Sequence, residues 1–548
     1  MPDRQPHQIA AMTDVSGAPG FDPAEHSEPY LDWFPPPPEG ARNGTCAILI
    51  SGGGYYNCCD VGHIANWRSS LTELGCQCVN LVYRTPRPAG LPIHTTAWED
   101  GQRAVRLVRS QAAARGFDPE RIVTISMSAG SHMATLLATS ALSPAYSPID
   151  ETDSIPCHVN AAVIFSVAYG LMDGNGARNS RQGDGLDIAL DPAFKFDAKT
   201  SPVCLLHGGL DPYTPLSSTR IYRRVREIGV PAEIHIAPDV GHGVYGFDRA
   251  VEFLRQMGFL APLEAEIPIM ARFADDSARA THTSQPIWPE GKMPDRQENQ
   301  CEPILEWHIP PRLSTRAIQI IWAGGAYEHN DPDEFEVAPP RRFLNARGVA
   351  VATVRYRTPR PAAPLAKHVT AWQDVRRAIR LVRSQAPALG LDPNRIGIMG
   401  SSAGAHLALM AATSSRMEAY LPIDDLDNTV GAAVQWAICI YPAYILSDGY
   451  EKPNAHGGNR LDARIAPEFA FDPDTPPMLF VHGDADGWAA MNSVALWEQL
   501  RRMGIQGELH TLASRGHCLH RQASPGTGSF TILDRIWDFL SAKGFLND

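Results

Sequence analysis

Short apolar runs rich in β-branched residues alternate with amphipathic stretches along the chain. Apolar runs of this length predict buried strands, and the stretch Arg103–Gln111, which sets Val and Leu among Arg and Gln, predicts a half-buried helix. Strands that alternate with helices predict a mostly parallel sheet covered by helices on both faces. The predicted strands are Thr45–Ile50, Cys76–Tyr83, Arg121–Ser126, Ala161–Val167, Pro202–His207 and Ala232–Ile236, then Ala317–Trp322, Val349–Tyr356, Arg395–Met399, Ala432–Ile440, Pro477–His482 and Gly507–His510.

The same pattern is written twice. Five blocks of near-identical sequence recur 273 or 274 positions apart, and they start at Tyr83 and Tyr356, Arg106 and Arg380, Gly116 and Gly390, Ser128 and Ser402, and Ala145 and Ala419. A constant offset of this size indicates duplication of a whole domain, because solenoid repeats are far shorter. We therefore expect an N-terminal tail over 1–20, a domain over 21–262, a polar linker over 263–300 and a second domain over 301–548.

A serine lies at the same place in each copy, between a predicted strand and a predicted helix. The second copy reads Gly400-Ser401-Ser402-Ala403-Gly404, a complete G-x-S-x-G, and the first copy has Ser126 in place of the first Gly. A nucleophile elbow needs small flanking residues so that the strand and the helix can approach each other. Ser126 is small enough to preserve the turn, so both Ser128 and Ser402 are candidate nucleophiles.

An acid and a histidine follow each serine in the order that this class of site requires. Asp211 and Asp486 come just after the ends of apolar strands, and His242 and His517 lie in Gly-containing loops beyond the next strand. The histidine would accept the serine proton while the carboxylate fixes its tautomer. Asp484 and His520 are the second choices for acid and base in the second copy.

Glycine-rich turns after the first core strand of each copy predict an oxyanion site, since Gly lets the backbone approach a substrate closely. Tyr residues that follow these turns are expected to bind substrate, with a purely structural role as the alternative. The predicted oxyanion donors are Gly53, Gly54 and Ala129 in the first copy and Gly325, Ala326 and Ala403 in the second, and the tyrosines are Tyr55 and Tyr327.

Composition excludes several other classes. The 548 residues carry a net charge of −12, which argues against a protein that binds nucleic acid by neutralising phosphates. No apolar run is long enough to span a membrane, and the N-terminal residues lack the pattern of a secretory signal, so a cytoplasmic location is expected. Ten Cys are too few for a disulfide scaffold.

Neither a metal nor a cofactor is expected. Cys76 and Cys78 align with valines of the second copy, at strand positions, and the vicinal Cys58-Cys59 pair lacks the spacing of zinc ligands. Two further pairs of residues are interpreted as structural, as ion-pair partners or as packing and hydrogen-bonding residues on a helix. These are Asp100 and Asp374, and His132 and His406.

The motifs together resemble α/β-hydrolase esterases, and among them the carbohydrate esterases with feruloyl and acetyl-xylan activity. The matching sequences are SGGGYYN and AGGAYEH, YRTPRP, TAWED and TAWQD, SMSAGSH and GSSAGAH, HGDADG and RGHCLH. The resemblance implies the same nucleophiles, acids and bases as the residue order does. The chain departs from the pattern at Ser126, at Ala326 and at Gly487-Trp488-Ala489, which follow the second acid.

We therefore predict two tandem α/β-hydrolase domains without a large cap, since the segment between Val167 and Pro202 is short. The predicted activity is ester hydrolysis through an acyl-enzyme, on small-molecule or oligosaccharide esters. Fold does not fix substrate, so lipase, thioesterase, peptidase and formamidase activities remain alternatives. Two further alternatives are one silent domain, with the halves as an intramolecular pseudo-dimer, and a non-enzymatic scaffold.

Overall fold

The computed structural model of the protein describes residues 13–16, 28–58, 61–172, 188–261, 280–331, 333–447, 464–519 and 530–547. The chain forms two compact units. The first comprises Met1–Pro262 with His510–Ser514, and the second comprises Leu263–Leu509 with Arg515–Asp548. Residues 173–187 of the short segment between Val167 and Pro202, which was predicted to lack a large cap, lie outside the described residues.

The first unit is built on a mostly parallel sheet in the strand order β1-β2-β4-β3-β5-β6-β7-β8. Its neighbours pair in parallel, except that β2 runs antiparallel to β4. The strands are β1 Thr13–Ser16, β2 Tyr30–Trp33, β3 Cys46–Ile50, β4 Gln77–Val82, β5 Ile122–Met127, β6 Ala161–Phe165, β7 Val203–Gly208 and β8 Ala232–Ala237.

The second unit repeats this arrangement in the order β18-β17-β14-β13-β11-β12-β10-β9, although the last three residues of β18 are counted with the first unit. The inner pairs are parallel, and β10 runs antiparallel to both β12 and β9. The strands are β9 Thr281–Pro286, β10 Ile304–Ile309, β11 Ile318–Trp322, β12 Ala350–Arg355, β13 Ile396–Ser401, β14 Trp436–Ile440, β17 Met478–Gly483 and β18 Gly507–Leu512, and a separate two-stranded ladder joins β15 Leu446–Ser447 to β16 Arg464–Ile465.

Helices connect the parallel strands of both units. In the first unit they are α1 Val61–Glu73, α2 Thr95–Ser110, α3 Ala112–Arg115, α4 Ala129–Thr139, α5 Leu216–Glu227 and α6 Phe247–Gln256. In the second they are α7 Ala338–Asn345, α8 Val369–Gln385, α9 Ala403–Thr413, α10 Asp425–Thr429, α11 Met491–Arg502 and α12 Phe530–Ala542. No helix in the described ranges has the length and apolar character needed to cross a membrane.

The central strands are buried along their whole length, which explains their continuous apolar sequences. Every residue of β3, β6 and β7 is buried, as expected for parallel strands covered on both faces. On one face, side chains of α1 and α6, including Trp67 and Phe253, pack against β3 and β5. The α/β-hydrolase fold class that the sequence predicts is therefore confirmed.

The edges of the sheets differ from the sequence-based expectation. Strand β9 lies inside the segment predicted as a linker, and β2 and β10 were not predicted. β9 is a polar, exposed edge strand, so it carries no alternation of apolar residues for a pattern to detect. The run Ala432–Ile440 was predicted as one strand, but β14 begins only at Trp436.

Candidate active site

The two candidate nucleophiles occupy strained turns of matching geometry. Ser128 has φ 57° and ψ −120°, and Ser402 has φ 54° and ψ −121°. Positive φ is costly for a non-Gly residue and is common at functional sites. Each serine joins the end of a central strand, β5 or β13, to the first turn of a helix, α4 or α9. The close agreement of the angles indicates that Ser126 preserves the turn in the first unit.

In the first unit the predicted acid and base meet the nucleophile. Nε2 of His242 lies 2.9 Å from Oγ of Ser128, and Nδ1 of His242 lies 2.8 Å from Oδ2 of Asp211. The Asp211 side chain is fully buried, whereas the His242 side chain is 26% exposed. Substrate therefore has access to the serine and the histidine but not to the acid.

The second unit has the same arrangement with nearly the same distances. Oγ of Ser402 lies 2.8 Å from Nε2 of His517, and Nδ1 of His517 lies 2.7 Å from Oδ2 of Asp486. The acid is again buried, and the His517 side chain is 28% exposed. Asp486, not the second choice Asp484, is thus placed at His517 Nδ1, and His520 lies outside the described residues.

A second histidine contacts each acid, and sequence reasoning assigned it no role. Nε2 of His207 lies 3.1 Å from Oδ2 of Asp211, and Nε2 of His482 lies 3.2 Å from Oδ2 of Asp486. Nδ1 of His207 is 2.8 Å from a serine hydroxyl on α5, an arrangement that places the imidazole proton on Nε2, beside the carboxylate. The sequence signal is the repeated H-G-x-x-D spacing at the end of β7 and β17.

These contacts keep both acids ionised. Burial opposes ionisation of Asp211, but hydrogen bonds from His207 and His242 outweigh it and hold the Asp211 pKa far below its usual value. The pKa of Asp486 is lowered in the same way, with burial again opposing the two histidines. Each carboxylate therefore remains negative at neutral pH, as the orientation of an adjacent imidazole requires.

The glycine-rich turns lie directly against the nucleophiles. A Cβ added to Gly52 would lie 2.9 Å from Ser128 Cβ, and one added to Gly324 would lie 2.8 Å from Ser402 Cβ. Backbone amides of this turn and the first amide of α4 or α9 are the predicted oxyanion donors, since the first N–H groups of a helix have no partner within it. In the second unit the Gly324 amide already donates to the Glu336 carboxylate, 2.5 Å away. The predicted donors Gly325 and Ala326 are the next amides along this turn.

The substitution Gly325→Ala, in the glycine-rich turn of the second unit, is expected to lower turnover by that unit. Gly325 has φ 85°, and a Cβ there would lie 2.2 Å from the His329 carbonyl oxygen, so the turn must move. We expect esterase turnover by the second unit, measured in a Ser128→Ala background, to fall about tenfold or more, because a displaced donor stabilises the oxyanion less.

The matched control for this variant is Gly390→Ala. Gly390 also has positive φ, 73°, but a Cβ there would meet nothing within 4 Å. It therefore reproduces the backbone strain without the collision. Equal loss of turnover in both variants would show that the displaced turn is not the cause.

Tyr55 and Tyr327 do not lie where substrate can reach them. Their side chains are 1% and 0% exposed, and their hydroxyls face His132 and His406 in the interior. Their burial favours the structural alternative over a role in substrate binding. Both tyrosines have positive φ, 63° for Tyr55 and 65° for Tyr327.

The other structural assignments agree with the coordinates. Asp100 accepts hydrogen bonds from the backbone and the guanidinium of Arg84, and Asp374 holds Arg357 in the same way. Both aspartates are fully buried. They are ion-pair residues.

Two buried clusters in corresponding places contain atoms of the kinds that bind metals. One is His94, His132 and Asp191, and the other is His368, His406 and Glu468. In each, the central histidine and the carboxylate lie at hydrogen-bond distance, 2.8 Å and 3.2 Å. A hydrogen bond accounts for these pairs without an ion, so the clusters fit an interior polar network.

Each unit thus combines an α/β-hydrolase fold with a serine, a histidine and an aspartate in mutual contact. This combination places the protein in the α/β-hydrolase class. The BD-FAE family matches residues 31–224 and 305–440, which together make up more than half of the chain. The chain belongs to the BD-FAE family.

Curated relatives resemble parts of the chain. Esterase LipQ of Mycobacterium tuberculosis is 28% identical over 272 residues, which cover 46% of this chain and 61% of the relative. Acetylxylan esterase of Xylanibacter ruminicola is 26% identical over 218 residues, which cover 38% of this chain and 42% of the relative. The chain therefore spans less than two thirds of the length of these relatives.

Solved structures that resemble the chain cover about half of it. An acetyl ester-xyloside bifunctional hydrolase from Caldicellulosiruptor lactoaceticus is 26% identical, covers 48% of this chain and 97% of its own, and has a TM-score of 0.41. A thermophilic esterase from Thermogutta terrifontis, with propionate bound, is 22% identical and has a TM-score of 0.39, with 50% of this chain and 99% of its own covered.

Proposed function

We propose that the protein is a serine carboxylic-ester hydrolase with one active site in each unit. The observation that carries this proposal is the duplicated geometry, with Oγ to Nε2 distances of 2.9 Å and 2.8 Å and Nδ1 to carboxylate distances of 2.8 Å and 2.7 Å. A scaffold would have no need to keep both a strained serine and a proton acceptor at hydrogen-bond distance from it, twice.

The reaction proceeds through an acyl-enzyme. The serine Oγ attacks the ester carbonyl carbon while Nε2 of the histidine takes the hydroxyl proton, and the carbonyl oxygen becomes an oxyanion held by backbone amides. The tetrahedral intermediate collapses and the alcohol leaves with the proton from Nε2. A water molecule then attacks the acyl-enzyme by the same steps, which release the acid and restore the serine.

We propose short-chain acyl or feruloyl esters of carbohydrates as the substrates. The resemblance to a protein named acetylxylan esterase supports a carbohydrate ester. A partly exposed aromatic ring also lies beside the base of the first unit: the ring centroid of Tyr213 is 5.1 Å from that of His242. A flat apolar wall of this kind suits a sugar face or an aromatic acyl group.

Labelling with a fluorophosphonate probe tests the proposal. Fluorophosphonates react with serines whose hydroxyl is activated by a neighbouring base, so we expect phosphonyl adducts on the peptides that contain Ser128 and Ser402. Single Ser→Ala variants should lose one adduct each. A panel of acetyl, butyryl, feruloyl, thioester and amide substrates then identifies the acyl group. A protein that acquires no adduct at either serine would refute the esterase proposal.

A further inference from the structure

A carboxylate, a histidine and a tyrosine form a hydrogen-bonded chain behind each oxyanion turn, with the carboxylate buried in the first unit and 21% exposed in the second. In the first unit Asp191 Oδ2 lies 2.8 Å from His132 Nε2, and His132 Nδ1 lies 2.9 Å from the Tyr55 hydroxyl. All three residues are at most 2% exposed. The second unit has the same chain, with Glu468 3.2 Å from His406 and His406 2.7 Å from Tyr327.

The carboxylate comes from different positions in the two copies. Phe194 and Phe469 correspond, because each packs on the central histidine, with ring centroids 5.1 Å and 5.0 Å away. Asp191 lies three residues before Phe194, whereas Glu468 lies directly before Phe469. By this alignment Asp191 corresponds to Ala466, and Glu468 corresponds to Ala193. The two copies thus use different residues, Asp191 and Glu468, at different positions, yet each places a carboxylate at the central histidine.

A carboxylate gives this histidine a property that packing alone does not. An acceptor at Nε2 keeps the proton on that nitrogen, so Nδ1 becomes an acceptor for the tyrosine hydroxyl. Burial opposes ionisation of Glu468, but the hydrogen bond from His406 outweighs it and lowers the Glu468 pKa to about 2. The negative charge is therefore present at neutral pH and specifies one tautomer.

The tyrosine hydroxyl bonds the histidine, so the fixed tautomer of the histidine also holds the tyrosine next to the oxyanion turn. Tyr55 directly follows Gly53-Gly54, and its positive φ of 63° is a strained conformation that surrounding contacts must hold. The hydroxyl bond to His132 is such a contact. The histidine itself is tied to the nucleophile, since the His132 amide donates to the Ser128 carbonyl oxygen at 3.1 Å. One chain of contacts thus links the serine turn to the oxyanion turn.

We propose that Asp191–His132–Tyr55 and Glu468–His406–Tyr327 are positioning residues that hold the oxyanion amides at the distance that the transition state requires. The proposal rests on the esterase function proposed above. It assigns these residues no contact with substrate. Removing the carboxylate should weaken stabilisation of the transition state while leaving binding of the ground state unchanged.

The test transplants the arrangement of one copy into the other. In a Ser402→Ala background, which leaves the first unit as the reporter, Asp191→Ala should lower kcat for p-nitrophenyl acetate about tenfold with KM unchanged. Adding Ala193→Glu should restore most of the lost kcat, because it supplies the carboxylate from the position used by Glu468. The reciprocal pair, Glu468→Ala with Ala466→Asp in a Ser128→Ala background, should behave alike.

Two further measurements separate positioning from folding. Turnover is expressed per serine titrated by a fluorophosphonate, so misfolded protein does not count. Affinity for a trifluoromethyl ketone, which forms the tetrahedral adduct, should weaken in parallel with kcat. Tyr55→Phe, which removes only the hydroxyl, should reproduce the loss of kcat.

The proposal fails in either of two clear ways. Unchanged kcat per titrated serine in Asp191→Ala and Tyr55→Phe would overturn it while leaving the esterase function intact. One zinc ion per unit, measured by mass spectrometry of the purified protein and lost in Asp191→Ala, would also overturn it, because His132 Nε2 would then be a metal ligand instead of a proton donor. Absence of turnover in the parent single-serine proteins would instead refute the esterase function.

Discussion

The double variant Ser128→Ala with Ser402→Ala is expected to lower kcat for p-nitrophenyl acetate by on the order of 10⁴-fold or more. Removal of both hydroxyls leaves no group that forms an acyl-enzyme, so only the oxyanion donors and general binding contribute. The activity should not be recovered at higher substrate concentration, because the loss is in the chemical step. Turnover at the wild-type rate would mean that neither serine is the nucleophile.

The single variants divide the activity between the units. Each retains one complete set of serine, histidine and aspartate, so the two kcat values should add up to that of the unaltered protein. An unequal division would measure the effect of differences near the sites, such as Glu336 and Tyr441 in the second unit. If one variant keeps all the activity and the other none, one unit is silent.

Matched serine controls exist in both copies. Ser110 and Ser384 occupy corresponding places near the ends of α2 and α8, and each is exposed and donates to a backbone carbonyl three residues earlier. The double variant Ser110→Ala with Ser384→Ala replaces two serines by alanine, as the double variant of Ser128 and Ser402 does. We expect it to leave kcat and KM unchanged.

Much of the central sheet follows from sequence alone, because its strands are continuously buried and apolar. The duplication adds a second, independent observation of each strand, and the predicted ends of most strands lie within one or two residues of the observed ones. The polar edge strand β9 gives no such signal. It is held by its ladder with β10, where Ile304 pairs with Pro286, and a ladder across that separation is invisible to local periodicity.

The site separates in the same way into predictable and unpredictable parts. The meeting of serine, histidine and aspartate is predictable because strand ends and a fixed order constrain these residues. Glu336 accepts from the backbone amide of Gly324, and Asp191 contacts the side chain of His132, so each carboxylate joins residues at a separation that no motif fixes. No spacing rule describes such contacts. His207 and His482 are intermediate, since their H-G-x-x-D spacing is regular but has no meaning until the carboxylate is seen between two imidazoles.

Replacement of the acids Asp211 and Asp486 is expected to have the second large effect on kcat. In a Ser402→Ala background, Asp211→Asn should lower kcat by about 10⁴-fold, and Asp486→Asn should do the same in a Ser128→Ala background. The serine hydroxyl remains, so the expected loss of kcat comes from a histidine that accepts the proton less effectively. The natural controls are Asp118→Asn and Asp392→Asn, which alter corresponding turn residues that cap backbone amides, and these should leave kcat unchanged.

The magnitude follows from what the carboxylate does for two imidazoles at once. Oδ2 of Asp211 lies 2.8 Å from Nδ1 of His242 and 3.1 Å from Nε2 of His207. An amide has no negative charge to stabilise the imidazolium that forms during attack. Its NH₂ group is a hydrogen-bond donor, as Nδ1–H is, so an NH₂ group facing the histidine opposes the required orientation of the ring. Loss of kcat without loss of fluorophosphonate-reactive protein after prolonged labelling would identify a slowed base in an intact fold. Wild-type kcat in Asp211→Asn would show that the histidine is oriented without the acid and would contradict the role proposed for Asp211.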